Sequence, residues 1–130
     1  MKKYFVLLFL LLFIDQLVKT LATNPAHNFG IFLGFWHPPT WFLLIFWSGL
    51  ILFLCVIFAF LSPLRLSASF LLAGIISQLW DKIRFGYVID PIVLASLLHF
   101  NFADVYIFLG ATLMITTLIL KKKEMHLSHF

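Results

Sequence analysis

WFLLIFWSGLILFLCVIFAFL, residues 41–61, runs for 21 positions without a charged side chain. A helix of about 20 residues rises about 30 Å, the thickness of a bilayer's hydrocarbon core. The segment therefore predicts a membrane span. Working outward, Ser62-Pro63-Leu64-Arg65 reads as a tight turn, and a further span is predicted from Leu66 to Phe85. Two more are predicted, from Tyr4 to Ala22 and from Phe100 to Leu120. The uninterrupted apolar stretch from Tyr4 to Ile14 has the look of a signal-peptide core, but no small-x-small cleavage site follows it, and a retained span is expected.

Composition agrees. The chain has 130 residues, 63% of them hydrophobic and only 11% charged, with a mean hydropathy of +1.09. A soluble domain could not cover that much apolar surface. The expected fold class is an all-α membrane protein with four transmembrane helices, one domain over residues 1–130, and at most a small extracytoplasmic β element. The segments from Thr23 to Thr40 and from Gly86 to His99 are expected to be loops, marked at Asn24-Pro25 and Pro38-Pro39 in the first case.

The basic residues orient the chain. Lys2, Lys3, Arg65 and Lys121-Lys122-Lys123 fall at one set of span ends, which the positive-inside rule assigns to the cytoplasm together with both termini. Trp36, Trp41, Trp80 and Tyr87 fall near the other face, as an aromatic belt would. The net charge of +4 carries no nucleic-acid signal, because the basic residues form no stripe and no RNA-binding aromatic motif accompanies them. Cys55, the single cysteine, lies inside an apolar run and reads as a small hydrophobe. His27, His37 and His99 match no metal-ligand spacing, and His126 and His129 read as solvated tail residues.

The acidic residues are the anomaly. Asp15, Asp81, Asp90 and Asp104 all fall in the outer half of the membrane or at its outer surface. An ionisable group within a span costs roughly 2.5–3.5 kcal/mol on insertion scales and usually faces a cavity or a partner. Asp15 and Lys19 share a helix face at i,i+4 spacing, which allows a simple ion pair. Asp81 has Lys82 and Arg84 beside it, so charge neutralisation is open there too, with the long side chains reaching outward. Asp90 reads as a turn residue before Pro91, and Asp104 as a first-turn helix residue behind an Asn101 N-cap. Both also read as members of a pair. Two carboxylates at the outer ends of neighbouring helices can share one proton and act as general acid and general base on a water. A proton-coupled transporter would need polar residues on the inner half as well, where the spans are Leu, Phe and Ile.

The motifs, taken together, resemble the lipoprotein signal peptidase (signal peptidase II) family over most of the chain. Asp15 with Lys19 is similar to the family's first-span motif, and Asn28-Phe29-Gly30 to its Asn-x-Gly loop motif. Residues 73–82 followed by Gly86-Tyr87-Val88-Ile89-Asp90 resemble its third span and first catalytic motif. Phe100-Asn101-Phe102-Ala103-Asp104 with Ile107 and Gly110 resembles the second. The resemblance implies an intramembrane aspartyl endopeptidase of the bacterial cytoplasmic membrane, with its active site near the outer face. It implies substrates that are prolipoproteins carrying diacylglycerol on a cysteine, cleaved just before that cysteine. Asp90 and Asp104 would be the catalytic dyad. Asn28, Gly30, Gln78 and Asn101 would surround the substrate backbone, and Asp15, Lys19, Asp81 and Lys82 would form a supporting polar cluster. Membrane lipid and globomycin-type inhibitors are the other expected partners, and no metal or organic cofactor is implied.

The chain departs from the family pattern at several motif positions, among them Ile31 and Phe32, which follow the Asn-x-Gly motif where small residues are usual. Gln78 stands where Asn is usual, Lys82 where Arg is usual, and Pro91 where an apolar, non-cyclic residue follows the first aspartate. The outer loops are short, and Pro91 to His99 lacks the usual aromatic-rich segment. These departures keep open a second reading, a relative that retains the fold as a membrane scaffold or lipoprotein-binding protein with little or no activity.

Overall fold

A computed structural model describes residues 1–29, 38–96 and 98–128. Four helices carry the fold: α1 (Lys2–Leu21), α2 (Thr40–Phe60), α3 (Arg65–Phe85) and α4 (Phe102–Leu127). Four strands of three residues accompany them: β1 (Ala26–Asn28), β2 (Val88–Asp90), β3 (Ile92–Leu94) and β4 (Leu98–Phe100). Gly30, Ile31, Phe32, Trp36, His37 and His129 lie outside the described residues.

Of the four helices, α1, α2 and α4 are long and apolar enough to cross a membrane. α3 matches them in length but is less apolar, since it carries Asp81, Lys82 and Arg84 near one end and several serines. The reason is its position. α3 packs against each of the other three helices, and Ser67, Ala68, Ser69, Ala73 and Ser77 on it are almost wholly buried. A central helix meets protein rather than lipid, so its polarity is matched from within. The outward faces of α1, α2 and α4 expose Phe9, Phe13, Ile45, Leu52 and Ile115, as a lipid-facing surface does. Cys55 lies on this outward surface of α2.

Small residues let α3 and α4 approach closely, the usual device where lipid removes any hydrophobic drive between helices. A Cβ on Gly74 would stand 2.6 Å from both the Ala103 carbonyl oxygen and Ile107 Cγ1, and one on Gly110 would stand 2.9 Å from Leu71 N and from the Ser67 oxygen. Toward the other end of the bundle, Leu8 and Leu11 of α1 and Leu54, Ile57 and Phe58 of α2 join Leu72 and Ile75 of α3 in an apolar core.

The turn expected at residues 62–65 is a single 3-10 turn, Ser62–Leu64. Arg65 closes it: its Nε donates to the Phe58 carbonyl at 3.0 Å and its Nη2 to that of Ala59 at 3.1 Å. A cation there satisfies orphan carbonyls at the C-terminus of α2 and complements its dipole.

Three local details go beyond the expectations, and the first two supply the small β element of the expected fold class. The segment from Gly86 to His99 is not a plain loop, because it holds β2, β3 and most of β4. The segment from Thr23 to Thr40 holds β1, which pairs antiparallel with β2, Ala26 opposite Asp90 and Asn28 opposite Val88. β3 pairs with β4, Ile92 opposite Phe100, and the turn between them places Ala95 and Ser96 at φ of 51° and 61°. Three-residue strands are too short to show alternation, and the β1 partner lies about 60 residues away. The last helix begins at Phe102 rather than Phe100, and it runs through the lysines to Leu127 rather than ending at Leu120. Lys, Glu and Met are good helix formers, so the polar tail continues the helix.

Candidate active site

The N-terminus of α4 sets one wall. Asn101, extended at φ −128° and ψ 173°, caps the helix. Its Oδ1 accepts from the Asp104 N–H at 3.0 Å, and Asp104 Oδ2 accepts from the Asn101 N–H at 3.1 Å. This reciprocal capping box satisfies two of the donors that a helix start leaves orphaned. It also fixes the Asp104 carboxylate. The other oxygen of that carboxylate, Oδ1, accepts from Gln78 Nε2 of α3 at 2.6 Å.

The end of β2 sets the opposite wall. Gly86, at φ +80°, ends α3 in the left-handed conformation that favours glycine and lets the chain turn into β2. The pairing with β1 then brings Asn28 to Asp90, and Asn28 Nδ2 donates to Asp90 Oδ2 at 3.1 Å. Asp90 Oδ1 accepts from Asn101 Nδ2 at 2.6 Å. Asp90 is 1% exposed and Asn101 is fully buried. One asparagine thus joins the two aspartates, its oxygen on the backbone of Asp104 and its amide on the carboxylate of Asp90.

Burial pushes the Asp90 carboxyl up to about 6, and the charge of Asp104 raises it further within that shift. The hydrogen bonds from Asn28 and Asn101 and the charge of Lys19 act in the opposite direction. A carboxyl so placed holds a proton closer to neutrality than an ordinary aspartate.

A buried ionic cluster underlies the pair. Lys19 Nζ lies 2.6 Å from Asp15 Oδ2 and 2.7 Å from Asp81 Oδ2. Ser77 donates to Asp15 Oδ2 and accepts from Gln16 Nε2 at 2.7 Å. Gln16 Nε2 also donates to Asp81 Oδ1 at 3.0 Å. Asp15, Lys19 and Asp81 therefore meet around one ammonium. Ser77 and Gln16 were assigned no role from the sequence. Ser77 stands four residues before Asp81 and Gln16 directly follows Asp15, and that spacing was the available signal.

Lys82 belongs elsewhere. Its Nζ donates to the carbonyl of Phe29, just beyond β1, and so ties that strand to α3. Gln78 and Asn101, expected around a substrate backbone, here bond the two aspartates, as does Asn28. Next to Asn28, His27 stacks on Tyr87 at 4.1 Å between ring centroids. Among the described residues, no three His, Cys, Asp or Glu side chains gather in a metal-ligating group.

Comparisons with known proteins point one way. The chain is 45% identical over 75 residues to the lipoprotein signal peptidase of Caldicellulosiruptor bescii, covering 56% of this chain and 49% of that protein. It is 27% identical over 142 aligned positions to that of Teredinibacter turnerae, covering 87% and 84%. It is 39% identical over 61 residues to that of Moorella thermoacetica, covering 47% and 41%. The first and third alignments thus span less than half the length of those relatives. Two solved bacterial membrane enzymes share the fold. One superposes with a TM-score of 0.84 at 17% identity over 95% of this chain and 92% of the other. The second gives 0.76 at 19% identity over 91% and 93%. The sequence profile described as Signal peptidase (SPase) II matches residues 7–120, from the first helix deep into the fourth. On that match, the chain belongs to the signal peptidase II family and is a multi-pass membrane protein of bacterial type.

Proposed function

We propose that the protein is an intramembrane aspartyl endopeptidase that removes the signal peptide from diacylglyceryl-modified prolipoproteins, with Asp90 and Asp104 as its catalytic dyad. The observation that carries this reading is the Asn101 bridge between the two carboxylates. It is supported by the burial of Asp90 and the upward push on its proton affinity.

The chemistry follows from the asymmetry of the pair. Asp90, with its raised proton affinity, holds the shared proton and gives it to the scissile carbonyl oxygen. Ionised Asp104 takes a proton from a water as the water oxygen attacks the carbonyl carbon. The tetrahedral intermediate then collapses: Asp90 takes a proton back from a gem-diol oxygen as the carbonyl reforms, the C–N bond breaks, and the leaving nitrogen takes the proton from Asp104. The pair titrates as a unit.

In this reading the chain is one four-span domain with both termini cytoplasmic and the dyad near the outer face. The basic residues at Lys2, Lys3, Arg65 and Lys121–Lys123 support that orientation. Globomycin-type inhibitors would occupy the dyad. Two departures from the family pattern favour an active enzyme over a scaffold. Gln78 donates to Asp104, and Lys82 donates to the Phe29 carbonyl at the β1 end.

The test is incubation of the purified protein in nanodiscs with a diacylglyceryl-cysteine precursor peptide, followed by mass spectrometry. The expected products are the free signal peptide and a peptide beginning at the lipidated cysteine, with the unlipidated peptide left intact. An intact lipidated precursor would favour the scaffold instead.

A further inference from the structure

Two backbone N–H groups lie one residue ahead of the proposed catalytic aspartates, and both are held by side chains from distant elements. The N–H of Ala103, directly before Asp104, donates to Asp15 Oδ1 of α1 at 2.9 Å. The N–H of Ile89, directly before Asp90, donates to Asp81 Oδ2 of α3 at 3.3 Å. The two holding carboxylates share a single cation, Lys19 Nζ. That ammonium also donates to Ser77 Oγ at 3.3 Å, so each of its three N–H groups has an acceptor. Asp15, Lys19 and Asp81 are 1%, 4% and 0% exposed.

Two carboxylates this deeply buried repel each other and would part without a cation between them. The ammonium therefore fixes the distance between the two clamps. Each clamp fixes the backbone that presents one aspartate.

We propose that Lys19 is a positioning residue for both aspartates, setting their separation through the Asp15–Ala103 and Asp81–Ile89 clamps. This rests on the dyad reading given above. The role is more than bundle stability, because the same cation acts on the site's proton. Lys19 opposes the upward push on Asp90, so removing it moves that carboxyl further up. The charged group facing Asp90 from α4 is Asp104. Those facing Lys19 are Asp15 and Asp81, with Tyr106 of α4 within electrostatic reach of Asp15.

The experiment measures kcat, KM and the pH profile of Lys19→Met and Lys19→Arg in nanodiscs, with rates normalised to folded protein. A misplacement of order 1 Å costs about a hundredfold in rate. Lys19→Met is expected to lose about that much kcat, to keep KM within about twofold, and to move the alkaline limb of the profile to higher pH. Lys19→Arg restores the limb, since it restores the charge, but recovers kcat only in part, since a planar fork cannot copy the three-way ammonium. A Lys19→Met protein with wild-type kcat and limb per folded molecule overturns the inference. Should Lys19→Met not fold, the Asp15→Asn/Lys19→Met/Asp81→Asn triple variant carries the test. It removes the unpaired charges but keeps oxygens for Ala103 and Ile89, and wild-type kcat in it also overturns the inference. Asp90→Asn and Asp104→Asn run alongside. If they turn over normally, the dyad reading fails and takes this one with it. If they are dead while the Lys19 variants are unaffected, only this inference fails.

Discussion

The side-chain amide of Asn101 donates to Asp90 at 2.6 Å while the same side chain caps the helix that carries Asp104. Capping and positioning can be separated by substitution. Loss of an N-cap costs about 1 kcal/mol. Asn101→Ser keeps a capping oxygen but cannot reach Asp90. It is expected to hold the thermal midpoint within a few degrees of wild type and to lose at least about tenfold in kcat, the scale of one lost hydrogen bond to a charged group. Asn101→Ala is expected to lose both. Thermal unfolding in detergent beside steady-state cleavage checks the split, and unchanged kcat in Asn101→Ser counts against the bridge.

The proton on Asp90 sets a pH dependence. Its carboxyl, raised to about 6, must stay protonated to act as the acid. The free enzyme's kcat/KM is therefore expected to fall as pH rises through about 6. Asn28 and Asn101 favour the ionised form, so removing either donor raises the proton affinity and moves this limb to higher pH. A pH series of kcat/KM on wild type and Asn28→Ala checks the sign, and a limb that moves to lower pH contradicts it.

The α3–α4 contact predicts a contrast among glycines. Gly74→Ala drives a methyl against the Ala103 carbonyl, next to Asp104. Overpacking costs about 1–3 kcal/mol, and here it also displaces the site, so both the thermal midpoint and kcat are expected to fall. Gly49 faces open space on α2. Gly49→Ala is expected to leave kcat unchanged and to gain up to about 1 kcal/mol in helix propensity. Equal behaviour of the two variants refutes the packing account.

Lys82 predicts a loop effect. Its bond to the Phe29 carbonyl holds the residue next to Asn28, which in turn holds Asp90. A hydrogen bond from a charged group contributes about 1.5–3 kcal/mol. Lys82→Met is therefore expected to reduce kcat/KM by roughly ten- to a hundredfold, and Lys82→Arg to keep most of it. Loss of equal size in both variants would mean that the bond to Phe29 is not what matters.

The helices were legible because each apolar run is long and bounded by charge or proline. α3 was legible by length, but its central place was not, since Ser67, Ser69 and Ser77 look like polar blemishes until their neighbours are known. The Asn101–Asp104 cap was legible from i,i+3 spacing, and the Asp15–Lys19 pair from i,i+4. What spacing cannot show is contact between elements far apart in the chain. Pairing of β1 with β2, the entry of Asp81 and Ser77 into the Asp15–Lys19 cluster, and the reach of Gln78 to Asp104 all depend on packing. The resemblance grouped Lys82 with Asp15, Lys19 and Asp81, and it is buried as they are, but adjacent helical residues point about 100° apart, and its ammonium reaches the Phe29 carbonyl instead.

The central claim is that Asp90 and Asp104 together perform the hydrolysis. Single-turnover cleavage of a diacylglyceryl-modified precursor by wild type, Asp90→Asn and Asp104→Asn, each shown to be inserted and folded, tests it most directly. The account predicts cleavage by wild type and loss of at least about a thousandfold in each variant, the order lost when one member of a catalytic unit is removed. Cleavage at the wild-type rate by either variant would contradict it.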